Sequence, residues 1–355
     1  MSGGLPLSVE QVTVPWLRWA LSSQAPGLRV RDAEIVGVDH GTCTRVRIRV
    51  ECTGHAARPV PEYVILKGGF EPHSRSMAYL HEMEVRAYRE VFGSLGLPAP
   101  AWFFAAYNGE QRQGIVIMED LTLRGVRFFP PQRAARPAEI ARWLSALAAF
   151  HARTWNSPEL HAGRWCWAPE HTTEFRRRMA DYFVPDVWRN LVDAPRGAAA
   201  SVRFHDADWA RNALDRLTAV AQRRPQALLH GDAHLGNLYL DATGAPGFFD
   251  PLTRRGPVMR DVAYLICGGL DVVDRRRAEG DLLRHYADEL LRHGVPADEV
   301  DRSIADYGAW LLLGYLVFLV NETHYQPEAV NTAYVARFSA AMLDHDTARL
   351  VGAIG

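Results

Sequence analysis

Residues 227–250, ALLHGDAHLGNLYLDATGAPGFFD, constrain the fold of this chain more than any other stretch. Ala227-Leu228-Leu229 and Leu238-Tyr239-Leu240 are short apolar runs of strand character, separated by the charged loop His230-Gly231-Asp232-Ala233-His234-Leu235-Gly236-Asn237. Asp241-Ala242-Thr243-Gly244-Ala245-Pro246 carries turn residues, and Gly247-Phe248-Phe249 then leads to Asp250. Antiparallel strands joined by a short turn bring the chain back to where it started. The pattern therefore predicts that Asp232, Asn237 and Asp250 converge.

Two carboxylates and an amide at the mouth of a rigid hairpin suit a hard cation. Mg²⁺ in particular takes few protein ligands and completes its shell with substrate phosphates. The spacing matches the kinase plan for phosphoryl transfer: an Asp that orients the acceptor hydroxyl, an Asn five residues later that holds metal, and a further metal-binding Asp. Asp232, Asn237 and Asp250 fill these places in order. The plain alternative is a polar loop with a capping aspartate.

His230-Gly231-Asp232-Ala233-His234-Leu235-Gly236-Asn237 resembles the HGDxHxxN loop of the aminoglycoside phosphotransferase and choline kinase superfamily. The continuation through Gly256-Pro257 and Arg260-Asp261-Val262-Ala263-Tyr264 looks most like the ecdysteroid-kinase-like branch and its bacterial relatives. The resemblance covers most of the chain in order, and the loop is its specific part. It implies an α+β, protein-kinase-like bilobal fold. A small antiparallel-sheet N-lobe over 1–118 and a hinge at 119–122 would precede a larger, mainly helical C-lobe over 123–355. It also implies ATP and Mg²⁺ as cofactors and a small-molecule alcohol as acceptor. Relatives often carry an aromatic residue after the metal-binding Asp, where this chain has Pro251.

The chain's 355 residues suffice for two sizeable cores, and 48% hydrophobic with 23% charged residues fits a globular protein. A net charge of −1 implies no nucleic-acid partner. The longest apolar run, 310–320, is too short for a membrane span, and residues 1–11 lack a signal-peptide pattern. The four cysteines form no CxxC pair, so reduced thiols in a cytoplasmic setting are expected. Lysine and arginine together number 40, yet Lys67 is the only lysine. A solitary ammonium marks a place where a planar guanidinium does not substitute. It ends the strand pattern Tyr63-Val64-Ile65-Leu66-Lys67, as in the kinase strand whose lysine holds the α/β phosphates.

The other elements fall around this framework. A helix is expected over 8–21, or one starting at Pro15. Two strands are expected within 33–50; the turn between them contains Gly41 and Thr42, whose amides could cap phosphates, although an ordinary hairpin turn fits equally. Over 76–92 a helix offers Glu84 as partner of Lys67, with Glu82 and Glu90 as rivals. A hairpin closed by Asn108-Gly109 leads to Met118-Glu119-Asp120-Leu121, which resembles the kinase hinge, with adenine bonding to backbone near Glu119 and Leu121. The helix over 137–155 carries His151, read as structural. The aromatics of 156–224 are either an acceptor wall or helix packing. Asp261 is either a tie for the loop or an N-cap. Three helices, over 281–293, 297–322 and 327–350, close the chain.

These residues read best as an ATP-dependent small-molecule kinase. Asp232 would be its catalytic carboxylate, Lys67 and Glu84 would serve the phosphates, and Asn237 and Asp250 would hold Mg²⁺. A neutral or apolar alcohol is the expected acceptor, because no acidic cluster for a polyamine stands out; an aminoglycoside or other antibiotic is the alternative. Two other classes compete. A metal-dependent hydrolase would ligate zinc through His230, Asp232 and His234 but leaves Lys67 idle. A nucleotide-binding pseudokinase would lack a catalytic position, whereas all are filled here.

Overall fold

Along residues 44–51 every second side chain is buried. Thr44, Val46, Ile48 and Val50 turn inward while Arg45, Arg49 and Glu51 stay exposed. That is the period of a strand with one dry face. The computed structural model, which describes residues 4–24, 27–41, 43–54 and 59–354, forms two units. The first is Met1–Arg127 with Leu240–Asp250; the second is Phe128–Tyr239 with Pro251–Gly355.

The first unit is built on a five-stranded antiparallel sheet. Its strands are β1 (Arg29–Asp39), β2 (Thr44–Thr53), β3 (Tyr63–Gly68), β4 (Trp102–Asn108) and β5 (Gln113–Glu119), in the order β1-β2-β3-β5-β4. Register aligns Ile48 with Val64, and Leu66 with both Val46 and Ile117. These residues share a core with Leu17, Ala20 and Leu21 of helix α1 (Val14–Gln24). Each such fully buried aliphatic contributes roughly 1.5–3 kcal/mol. Because side chains alternate across a strand, Lys67 lies on the opposite face from Val64 and Leu66. Helix α1 begins one residue before Pro15, so the later of the two expected starts is the one found. The helix expected over 76–92 is α2 (Ala78–Arg86) followed by a π-helical stretch, Ala87–Phe92.

In the second unit, strand Ala227–Leu229 pairs antiparallel with Arg254–Gly256. Helix Pro137–Thr154 packs on Ala227–Leu229 and on Val272–Arg292, while Met259–Gly269 and Glu328–Asp344 pack on Tyr307–Val320. Tyr307–Val320 is buried except at Val317, which explains its unbroken apolar sequence. Among the described residues no single helix is long and apolar enough to cross a membrane. Two of the expected closing helices are broken. Residues 297–322 divide into Ala297–Ala305 and Tyr307–Val320, and 327–350 divides at Asp346, whose φ is 47°, before Thr347–Ala353. The helix expected at 281–293 begins earlier, at Val272, capped by the Asp271 carboxylate accepting from Asp274 N–H.

Candidate active site

Lys67 meets two carboxylates in the first unit. Its Nζ donates to Glu84 Oε1 at 2.8 Å and to Asp250 Oδ1 at 2.7 Å. Strand β3 aims the lysine at the α2 face of the sheet, and α2 supplies Glu84 there. The rival glutamates are elsewhere: Glu82 and Glu90 both face Arg86. Lys67 and Glu84 are each more than nine-tenths buried. Burial pushes the Lys67 ammonium down, but Asp250 and Glu84 more than offset this and hold it well above its usual range. Burial, opposed by Lys67 and reinforced by Asp250, pushes the Glu84 carboxyl up to about 7. Asp250 has a left-handed backbone, φ 52°. Aspartate tolerates that region better than most residues, and such outliers gather at functional sites.

The turn between β1 and β2 is fastened by Glu71, which the sequence did not single out. Its Oε1 meets His40 Nδ1 at 2.8 Å and accepts from Thr44 Oγ1. The Thr44 bond, against a smaller opposing effect of burial, lowers the Glu71 carboxyl. A β-carbon at Gly41 would make only an ordinary contact, 3.7 Å from the Cys43 carbonyl, so nothing steric demands glycine there. Thr42 lies outside the described residues. The Cys43 sulfur lies 3.5 Å from His81 Nδ1, and burial pushes its thiol up to about 12. In the expected hinge, Glu119 N–H is given to the Ala101 carbonyl, and its Oε1 accepts from Ala101 N–H and Arg124. Asp120 caps the next turn through Thr122 N–H and pairs with Arg47 at 2.7 Å; Leu121 is buried.

The second unit holds the loop of Asp232 and Asn237. Asp261 anchors it from within helix Met259–Gly269, so the expected N-cap alternative does not hold. Its two oxygens accept the N–H groups of His230 at 2.7 Å and Gly231 at 3.0 Å. His151 Nε2 lies 3.5 Å from Asp261, and its Nδ1 is 2.7 Å from the Tyr286 hydroxyl. His151 is therefore a buried support. Burial raises the Asp261 carboxyl, but the bond and charge of His151, with His230 and Arg260, leave it below its usual value. Gly231 has φ 81°, and a β-carbon there would lie 2.0 Å from the Leu252 carbonyl oxygen. Only glycine closes this turn.

Asn237 is oriented unambiguously. Its Nδ2 donates to the Asp232 carbonyl and to Asp232 Oδ2, both at 2.9 Å. The amide oxygen is thus turned away from Asp232, a hard neutral donor that fits Mg²⁺. Asp232 Oδ1 accepts from the Tyr264 hydroxyl at 3.2 Å, and His234 Nε2 lies 3.6 Å from Oδ2. The Arg260 guanidinium sits 4.0 Å over the Tyr264 ring, an attraction worth up to about 2 kcal/mol where desolvated. His230 and His234 each accept a backbone N–H at Nδ1, from Asp232 and Gly236. Among the described residues no three His, Cys, Asp or Glu side chains gather as a metal site, so the zinc reading finds no donor set. Asp232 and Asn237 thus meet within the second unit, and Asp250 meets Lys67 within the first. Tyr264 and Arg260 were missed as site residues, because on a wholly buried helix they read as packing.

The family profile of the ecdysteroid kinase-like proteins matches residues 40–294. No curated protein matches the sequence. Among solved structures, the chain is similar to choline kinase from Cryptosporidium parvum Iowa II, with 10% identity over 97% of this chain and 99% of that one and a TM-score of 0.53. It is also similar to the amicoumacin kinase hAmiN in complex with AMP-PNP, Ca²⁺ and Ami, with 13% identity, 95% and 94% coverage and a TM-score of 0.51. Choline kinase LicA from Streptococcus pneumoniae follows, with 14% identity, 89% and 94% coverage and a TM-score of 0.50. At these identities the likeness is one of fold, the kinase-like combination of an antiparallel-sheet unit and a helical one. With its profile running from the β1–β2 turn past the Asp232 loop and Asp261, this chain belongs to the ecdysteroid kinase-like family.

Proposed function

We propose that this protein is an ATP- and Mg²⁺-dependent phosphotransferase that phosphorylates a hydroxyl of a neutral or apolar small molecule. The observation that carries the reading is the Asp232–Asn237 pair: the amide N–H₂ is spent on Asp232, which frees the amide oxygen for metal. Asp232 would orient the acceptor hydroxyl and take its proton as the new P–O bond forms. Asn237 and Asp250 would hold the metal. Lys67, held by Glu84, would neutralise phosphate charge. Mg²⁺, when bound, supplies charge neutralisation at the phosphate oxygens. Positioning and electrostatics carry such a reaction, and no covalent enzyme intermediate is required.

The family name supports an apolar acceptor, since ecdysteroids are polycyclic alcohols. The test is a screen with γ-labelled ATP against steroid alcohols, sugars, choline and aminoglycosides, run with wild type and Asp232→Asn. Label should enter a neutral alcohol and fall by about 10³ or more in the variant, with nucleotide affinity kept. Transfer by Asp232→Asn at the wild-type rate would remove Asp232 from its role, and labelling of aminoglycosides alone would overturn the acceptor class.

A further inference from the structure

We propose that Tyr264 is a positioning residue for the carboxylate of Asp232, holding it with one oxygen turned to Asn237 and the other to the phenol. The proposal rests on the phosphotransferase reading and adds a residue to it. Asp232 Oδ2 accepts from Asn237 at 2.9 Å; Oδ1 accepts from Tyr264 at 3.2 Å. Two donors from separate elements fix both oxygens, so the carboxylate plane is set on each side.

The phenol itself is locked. Its ring stacks on Phe318, at 5.5 Å and 12° between planes, and Phe318 stacks on Tyr334 at 4.0 Å. The opposing partner is Arg260, whose Nη2 donates to the Gly231 carbonyl and whose Nε donates to His171 Nε2 at 2.9 Å. His171 accepts that bond as a neutral imidazole, and burial together with Arg260, Arg254 and Arg178 keeps it so. A cation over the ring draws electron density from the phenol and makes its O–H a better donor. Tyr264 is itself buried, and both burial and the neighbouring Asp232 charge raise its hydroxyl well above the usual range, so it stays a donor at any working pH.

Tyr264→Phe removes the hydroxyl and keeps the ring. The expected result is a fall in kcat of about tenfold or more with an unchanged KM for ATP and an unchanged urea midpoint. A merely structural tyrosine would lower the urea midpoint and leave kcat of the folded enzyme in place. A kcat equal to wild type would overturn the proposal. A crystal structure of Tyr264→Phe decides the geometry even if the phosphotransferase reading fails. A carboxylate rotated out of the Asn237 contact supports the positioning role, and one left in place overturns it.

Discussion

At the scale of single residues, the two carboxylates around one ammonium carry the strongest consequence. Burial, reinforced by Asp250 and opposed by Lys67, pushes the Glu84 carboxyl up to about 7, above the value of an unfolded glutamate. The folded state then holds that proton more tightly than the unfolded chain. Its contribution to stability is complete below the unfolded value and is lost as pH rises through about 7. In metal-free protein, wild type should lose up to about 3 kcal/mol across this window, and Glu84→Gln should lack that slope. Denaturant melts at a series of pH values give the answer, and parallel profiles for the two proteins would refute it. Glu84 was preferred to Glu82 and Glu90 on the resemblance, which favours a Glu just before Val-x-x-Tyr, and Lys67 was legible in the sequence because it is the only lysine. The orientation of Asn237 was not, since an amide's two ends look alike until its neighbours are fixed.

At the scale of elements, helix Met259–Gly269 does more than its sequence indicates. All eleven of its residues are buried, so no amphipathic stripe marks a functional face. Yet it supplies Arg260, Asp261 and Tyr264 within about one turn, and each contacts the 230–232 segment. Asp261→Asn leaves one carbonyl oxygen for two buried N–H groups and strips His151 of its anion. A loss of about 2–4 kcal/mol in urea unfolding is expected. Because Asp261 is depressed, its contribution is present above the unfolded value and vanishes as pH falls through the folded one. A change within about 0.5 kcal/mol, the range of neutral surface substitutions, would contradict the anchor. Periodicity located most helices here but not their breaks. The breaks fall at Asp306, whose carboxylate is held by Arg224, and at Asp346, whose backbone is left-handed, and spacing alone announces neither.

At the scale of the molecule, the candidate site residues fall in both units. The sheet unit keeps the cation and the Asp250 carboxylate, and the helical unit keeps Asp232 and Asn237. The fold class was readable through the family resemblance carried by the 230–237 loop, and the strand alternation of 44–51 fits the sheet it implied. The segment 240–250 was the exception: it interrupts the helical unit in sequence yet clusters with the sheet unit. The composition adds a practical handle. With one lysine among 40 positive residues, the chain offers an amine-selective reagent a single side chain, the terminal amine aside. That amine is buried and held as an ammonium by Glu84 and Asp250, so acylation there reports their release. An acyl-phosphate nucleotide should add one adduct at Lys67, competed by unlabelled ATP, so intact-mass spectrometry can count occupied sites without any knowledge of the acceptor.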